Sequence, residues 1–415
     1  MKTAILGYGK SGKSAEKLLK KMGINNIHIY DDKLTDFPEI NKVTDEYDIY
    51  VVSPGIDINN LGINKNKITS EIDLAYNLLE RESKIIAVTG TNGKSTITYL
   101  TAQILNNYGV KAKACGNIGF AFGEAVIEGY DVYVVELSSF QIDLIKYFRA
   151  DASCISNVTD DHFDRYGNFE NYLKSKIKIK DITKGQLFSL NSECLVNKLP
   201  ESTVFIDENL KNFPVFEDNK LRFENFYVSL DNFNLYGWHN KINLAFSLSL
   251  SSSLFDFFGD MTHLIENLTG LEHRCEFVGA INETIYINDS KGTNVDSTMV
   301  ALKSVNEDCI LILGGYDKGG DFGELAALIN EKVKKVILYG AAAAKIENQL
   351  LGRVNAEIIS VYSLKDAVEN AYQNSENIKY VLFSPGCASF DQFKNFEERG
   401  EYFKKYVNEI KEKIG

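Results

Sequence analysis

The sequence predicts an α/β protein built as three consecutive domains, and three observations carry that prediction. Short runs of apolar and β-branched residues alternate with helical periodicity along nearly the whole chain, the pattern of parallel strands joined by covering helices. Glycine-punctuated loops follow two of the apolar runs, at Gly7–Gly12 and Gly90–Gly93, where a helix start can face a phosphate. A length of 415 residues is room for about three domains of ~150 residues, each with its own core.

Residues 1–82 read as a small α/β domain, with strands at Thr3–Leu6, Ile27–Tyr30 and Ile49–Val52 and helices at Ser14–Met22 and Glu71–Glu82. Residues 83–270 continue the alternation. Strands are expected at Ile85–Val88, Val132–Glu136 and Ser153–Asn157, helices at Thr98–Leu105, Phe169–Ile182 and Lys241–Leu250, and a β-rich patch near 203–236. Residues 271–415 repeat the scheme with strands at Thr284–Ile287, Cys309–Leu313, Lys335–Leu338 and Tyr380–Phe383.

Composition narrows the class. Apolar residues make up 44% and charged residues 25%, an ordinary globular balance. The net charge of −12 argues against nucleic acid or an anionic membrane surface as the partner. Six cysteines form no C-x-x-C pair and no metal-ligand spacing, so free, mostly buried thiols in a reducing cytoplasm are expected. The apolar run before Gly7 is too short for a signal peptide, and Leu244–Phe258 is interrupted by serines. A cytoplasmic protein is expected.

The richest stretch is Lys84–Thr96. An apolar strand enters Gly90-Thr91-Asn92-Gly93-Lys94-Ser95-Thr96, and a helical pattern leaves it. Such a loop turns backbone N–H groups and a helix N-terminus toward phosphates, sends its lysine to the outer ones and offers a hydroxyl to Mg²⁺. Val88 stands where the general pattern has its first glycine, so the loop is a shortened variant; the alternative is a Gly-Asn turn that happens to precede a lysine. Glu136 ends the buried run Val132–Val135, at the strand end where open α/β sheets bind ligands, and with Ser95 could hold Mg²⁺; a capping carboxylate is the competing reading. His162 follows another strand-like run.

Gly7-Tyr8-Gly9-Lys10-Ser11-Gly12 matches G-x-G-x-x-G, with Asp31 19 residues after Gly12. By itself it fits a nicotinamide cofactor, another nucleotide with a diphosphate at that helix start, or a turn without ligand. Asp289–Asn294 and Gly314–Lys318 could aim lysines at an anion, or be turns.

Read together and in order, GTNGKST, ELSSFQ, NVTDDHFDRY, GWHNKINLA, GLEHRCE, NDSKGTN, LGGYDKGGDF and SPGCASFDQFKNFEERG resemble the Mur ligase family over essentially the whole chain. The resemblance implies an N-terminal Rossmann-like domain (1–82) holding UDP, a central P-loop ATPase domain (83–270) and a C-terminal Rossmann-like domain (271–415) receiving the amino acid. It implies ATP, two Mg²⁺ ions and CO₂ held as a lysine carbamate, with UDP-N-acetylmuramoyl-L-alanine and D-glutamate as partners in a cytoplasmic monomer.

Residue by residue, Gly90 to Thr96 match the ATP phosphate site, and Asn243, Arg274 and Asp289 look like further ATP contacts. Ser95, Glu136 and His162 match magnesium ligands, and Lys176 matches the carbamylated lysine. Lys10, Ser11, Asp31, Asp32 and Asn117 fall where the family holds the UDP substrate. Lys291, Thr293, Lys318, Ser389, Phe390 and Phe396 resemble the amino-acid pocket. Trp238 stands where an arginine is common, and His162 and Lys176 are one residue closer than expected, so Lys174 competes for the carbamate.

The implied reaction is an ATP-driven amide ligation through an acyl phosphate, with Lys94, His162 and Lys176 at its centre and domain closure excluding water. A sibling ligase adding another amino acid is the nearest rival. A dehydrogenase with an added NTPase domain and a nucleotide sensor without turnover are rivals of other classes.

Overall fold

The computed structural model describes the chain apart from residues 59, 60, 80, 81, 160, 162, 234, 236, 306 and 415, and apart from the side chains of 163 and 164. Two compact units are present: Met1–Phe233 with Ile242–Leu268, and Asn234–Lys241 with Thr269–Gly415.

The first unit opens with a parallel sheet of β1 (Thr3–Leu6), β2 (Ile27–Tyr30), β3 (Ile49–Val52) and β4 (Ile68–Thr69), in the order β2-β1-β3-β4. Helix α1 (Lys10–Lys21) starts four residues before the expected Ser14. Its first residues are Lys, Ser, Gly and Lys, which carry no apolar period, so the pattern showed only the part that packs. Helix α2 (Glu71–Asn77), capped by Ser70, is shorter than the expected Glu71–Glu82.

A six-stranded parallel sheet follows: β5 (Lys84–Thr89), β6 (Ala112–Gly116), β7 (Val132–Glu136), β8 (Ala150–Ile155), β9 (Thr183–Leu190) and β10 (Val204–Ile206). Its order, β10-β9-β8-β5-β7-β6, puts β5 inside, between β8 and β7. Strands buried on both faces must be apolar throughout, and Ile86, Ala87, Val88, Val134 and Val135 are all 0% exposed. Helices α3 (Lys94–Asn107), α4 (Phe122–Glu128) and α5 (Ser139–Leu144) belong to this part. The expected helix Phe169–Ile182 is α-helical only to Ile177 and continues as a 3₁₀ turn over Lys178–Ile182. The β-rich patch near 203–236 supplies β10 to the six-stranded sheet and β11 (Val215–Glu217), β12 (Lys220–Arg222) and β13 (Phe226–Ser229) to a small sheet, which β14 (Gly259–Asp260) completes from outside the patch.

The second unit holds β15 (Glu276–Ile281), β16 (Thr284–Asn288), β17 (Cys309–Gly314), β18 (Val333–Tyr339), β19 (Glu357–Ser360) and β20 (Tyr380–Phe383). Their order is β15-β16-β20-β17-β18-β19, and β15 alone among them is antiparallel. From β17 the chain builds outward through β18 and β19, then returns to place β20 on the other flank of β17. That reversal falls at the carboxyl ends of β17 and β20, the position at which sheets of this kind bind ligands.

The six cysteines are free, four of them buried, as their spacing predicts. Among the described residues no helix is long and apolar enough to cross a membrane.

Candidate functional site

The loop after β5 has the backbone geometry that an anion cradle requires. Gly90 and Gly93 sit at φ +142° and +82°, which side-chain-bearing residues rarely adopt. A Cβ would stand 1.9 Å from Ser156 Oγ at Gly90 and 2.6 Å from Asn243 Oδ1 at Gly93. Close approach and backbone conformation thus demand glycine at both points. The first glycine of the general pattern is dispensable here because Val88 is still in the strand, paired with Glu136 and Cys154.

Gly93 begins α3 with no side-chain cap, which leaves the N–H groups of the first turn facing the loop. Lys94 Nζ donates to Thr91 O at 2.7 Å, Thr91 Oγ1 meets Tyr172 OH at 3.2 Å, and Asn92 N donates to Asn157 Oδ1 at 2.9 Å. Ser95 is buried and Thr96 half-buried, both in the first turn.

Carboxylate and lysine converge on this cradle from the neighbouring elements. Glu136, 2% exposed, ends β7 beside β5. Its Oε1 accepts Asn117 Nδ2 at 2.7 Å, while among the described residues its buried Oε2 has no hydrogen-bond partner. A buried carboxylate oxygen left bare calls for a cation. Lys176, 2% exposed, donates to Thr89 Oγ1 at 3.2 Å and lies 5.3 Å from the Tyr172 ring centroid. Burial, then the charge of Lys94, holds its pKa well below the usual lysine value. Lys174 is exposed. His162 lies outside the described residues.

At the first sheet, Lys10 and Ser11 open α1 directly after the glycine turn. Asp31 Oδ2 accepts Tyr8 N at 2.6 Å and its Oδ1 accepts Lys33 N and Leu34 N at 2.8 and 3.0 Å. Those backbone donors, Tyr8 first, hold its carboxyl below the ordinary range. Asp32 Oδ1 accepts Ile40 N at 2.8 Å. A cavity lined by Ser11, Val52, Pro54, Ser70, Glu71 and Gln141 lies at the carboxyl end of this sheet.

In the second unit, the loops after β16, β17 and β20 gather the remaining candidates. Lys291 Nζ is 5.5 Å from the Phe396 ring and Lys318 Nζ 5.9 Å from the exposed Phe390 ring, while Ser389 is buried. Tyr316 and Ala388 pair between the loops after β17 and β20. Thr293 is half-buried near the start of the helix Val295–Ser304, whose cap is Asn294. Asp289 accepts Ser384 Oγ at 2.7 Å and Cys275 N at 3.3 Å, and burial pushes its pKa up to about 7. Arg274 is half-buried and acts on Asp289 electrostatically.

Two residues that shape these sites carry no assigned role in the sequence reading. Tyr172 braces Thr91 and Lys176. Arg399, wholly buried, donates to Ser290 O, Ser290 Oγ and Cys387 O and so ties two pocket loops together. Its place inside the NFEERG motif was the available signal.

Comparison with known proteins follows the same division. A UDP-N-acetylmuramoylalanine–D-glutamate ligase of Caldicellulosiruptor saccharolyticus is 35% identical over 99% of both chains. The chain belongs to the Mur ligase family. Models of the Mur ligase middle domain and of the Mur ligase glutamate ligase domain match residues 88–251 and 273–387. A ligase of the same description from Francisella tularensis subsp. holarctica is 36% identical over 99% of this chain and 97% of its own. Two Mur ligase structures from Thermotoga maritima share the fold. MurF in complex with ADP has a TM-score of 0.61 at 17% identity, covering 88% of this chain and 90% of its own, and MurC has 0.59 at 18%, covering 99% of each. The expected fold class, three consecutive α/β domains of the Mur ligase type, therefore stands.

Proposed function

We propose that the chain is an ATP-dependent ligase that joins D-glutamate to UDP-N-acetylmuramoyl-L-alanine in peptidoglycan precursor synthesis. One observation carries the reading: 35% identity to a D-glutamate ligase along 99% of both chains. The phosphate cradle supports its ATP half. We assign residues 1–82, 83–270 and 271–415 to the UDP, ATP and amino-acid domains, and a cytoplasmic monomer is the working form.

The substrate carboxylate attacks the γ-phosphorus, the bond to the β–γ bridging oxygen breaks, and ADP leaves. The D-glutamate amine then attacks the acyl carbon, a C–N bond forms as the acyl C–O bond breaks, and phosphate departs with the former carboxylate oxygen and takes up the proton that the amine nitrogen loses. The loop N–H groups of residues 90–96 and the Lys94 ammonium bind the outer phosphates where charge builds. Asn243, Arg274 and Asp289 are read as further ATP contacts.

Ser95 and the bare Glu136 Oε2 suit Mg²⁺, which would neutralise phosphate charge when bound; His162 is the third proposed ligand. The uncharged amine of Lys176 is the form that adds CO₂, and the carbamate would supply an anionic oxygen for a second Mg²⁺. Burial favours Lys176 over the exposed Lys174 for this role. Lys10, Ser11, Asp31, Asp32 and Asn117 are proposed to hold the UDP substrate. Lys291, Thr293, Lys318, Ser389, Phe390 and Phe396 are proposed to hold D-glutamate, whose second carboxylate selects Lys318.

Phosphate release measured across a panel of amino acids tests the reading. D-glutamate should be required together with ATP and the UDP-sugar; preference for a diamino acid would place the chain with a sibling ligase.

A further inference from the structure

We propose that Glu71 is a positioning residue that fixes the glycine-turn end of α1 against the nucleotide-binding sheet. It sets the affinity for the uridine diphosphate end of the substrate and leaves ATP binding alone. The proposal rests on the reading of Lys10 and Ser11 as uridine diphosphate contacts.

Glu71 is the first residue of α2, a place where glutamate normally reaches solvent, yet it is 5% exposed. A buried carboxyl needs donors to offset its lost hydration. Its Oε1 finds two, Ser14 Oγ at 2.7 Å and Gly123 N at 2.6 Å. Ser14 lies one turn beyond Lys10 in α1, and Gly123 is in the first turn of α4, after the loop that carries Asn117. One oxygen atom therefore joins the helix of the first sheet to a helix of the second.

The platform under Glu71 is rigid. Two residues on, the wholly buried Asp73 accepts Lys146 N and Tyr147 N at 2.9 Å and Phe148 N at 2.8 Å. Helix α2 is thus pinned to the turn ahead of β8 while its first residue holds α1 and α4. An apolar residue at 71 could fill the space but would not orient either helix.

Lys10 reports where this alignment leads. Burial lowers its pKa, while the carboxylates of Glu124, Glu71 and Glu136 act on it in the opposite sense. The start of α1 therefore feels both Glu71 and the carboxylate at the phosphate cradle. Glu71 also lines the cavity that holds Ser11. Lys17 and Glu124 add a second tie between α1 and α4 at 2.5 Å, but it is exposed and weak.

The test uses the full chain and separate KM values for the UDP-sugar and ATP. Losing the acceptor leaves buried donors unpaired, so Glu71→Ala should raise the KM for UDP-N-acetylmuramoyl-L-alanine about 10-fold or more, with the ATP KM within about 2-fold. Glu71→Gln keeps a carbonyl oxygen in place and should restore it to within about 3-fold of the parent. Ser14→Ala cuts the same bond from the other side, so it should weaken UDP-sugar binding in the same direction and add little to Glu71→Ala in the double variant. It carries the test if Glu71→Ala fails to fold. Equal rises in both KM values, or an unchanged UDP-sugar KM, would overturn the proposal. Calorimetric titration of the parent with UDP separates the two levels. No binding there defeats the functional reading, whereas binding that Lys10→Ala weakens and Glu71→Ala does not defeats only the role of Glu71.

Discussion

Replacing Lys176 by methionine should separate stability from catalysis. The lysine is 2% exposed, and burial, then Lys94, pulls its pKa well below 10.5, against the opposing pull of Glu136, Asp161 and Asp143. Unfolded, a lysine keeps its proton to about pH 10.4; folded, this one releases it earlier. The unfolded chain therefore binds more protons between those two values, and stability rises with pH across that window by about 1.4 kcal/mol per pH unit. Below the window the full cost of the buried ammonium is present. Methionine matches the length and carries no charge. In bicarbonate-free, magnesium-free buffer near neutral pH, Lys176→Met should melt at a higher temperature than the parent and lose that pH slope. The same change removes the proposed anionic metal ligand, so turnover should fall by about 10²–10³, or ~3–4 kcal/mol in the barrier. Lys174→Met, on the exposed face, should change neither. Melting curves against pH and phosphate release decide it: a variant that is less stable and fully active would contradict both the burial cost of the ammonium and the lysine's role as a metal ligand.

Other expectations follow from the same sites. Lys94→Ala should lower kcat by about 10²–10³ with an unchanged melting curve; near-parental turnover would remove the lysine from the phosphate chemistry. Lys318→Ala should raise the KM for D-glutamate at least about 10-fold while the KM for ATP stays near the parental value, and parallel rises would contradict direct charge pairing. Burial holds Asp289 protonated up to about pH 7 in the folded chain, whereas an unfolded aspartate releases its proton near 3.9. Stability should therefore fall as pH climbs from about 4 to 7, and Asp289→Asn should flatten that fall; superimposable pH curves for the two proteins would sink the assignment.

The strand–loop–helix of the phosphate site was legible because each part carries its own signal: an apolar run, a glycine turn, then a helical period. Strand β7 has the predicted bounds Val132–Glu136 since it is buried on both faces. Strand β9 was missed because Thr183–Gln186 at its start is polar and only Leu187–Ser189 is fully buried. The antiparallel β15 was missed too, its pattern alternating only weakly along Glu276–Ile281. At the site, residue types were visible but partners were not. Ser384 reaches Asp289 from 95 positions away and Lys176 reaches Thr89 from 87, distances at which sequence spacing carries no signal. Lys174 and Lys176 differ in helix face, which spacing alone does not reveal: two residues apart, one points to solvent and the other inward.

In the proposed reaction a substrate carboxylate oxygen passes to phosphate on its way to an amide. UDP-N-acetylmuramoyl-L-alanine labelled with ¹⁸O in its terminal carboxylate, incubated with the full chain, ATP, Mg²⁺ and D-glutamate, tests it directly. Mass spectrometry of the released phosphate should find one ¹⁸O atom transferred for each labelled oxygen lost from the new amide, with ADP formed in equal amount. Phosphate free of ¹⁸O, formed alongside the amide product or without it, would contradict the acyl-phosphate ligase account.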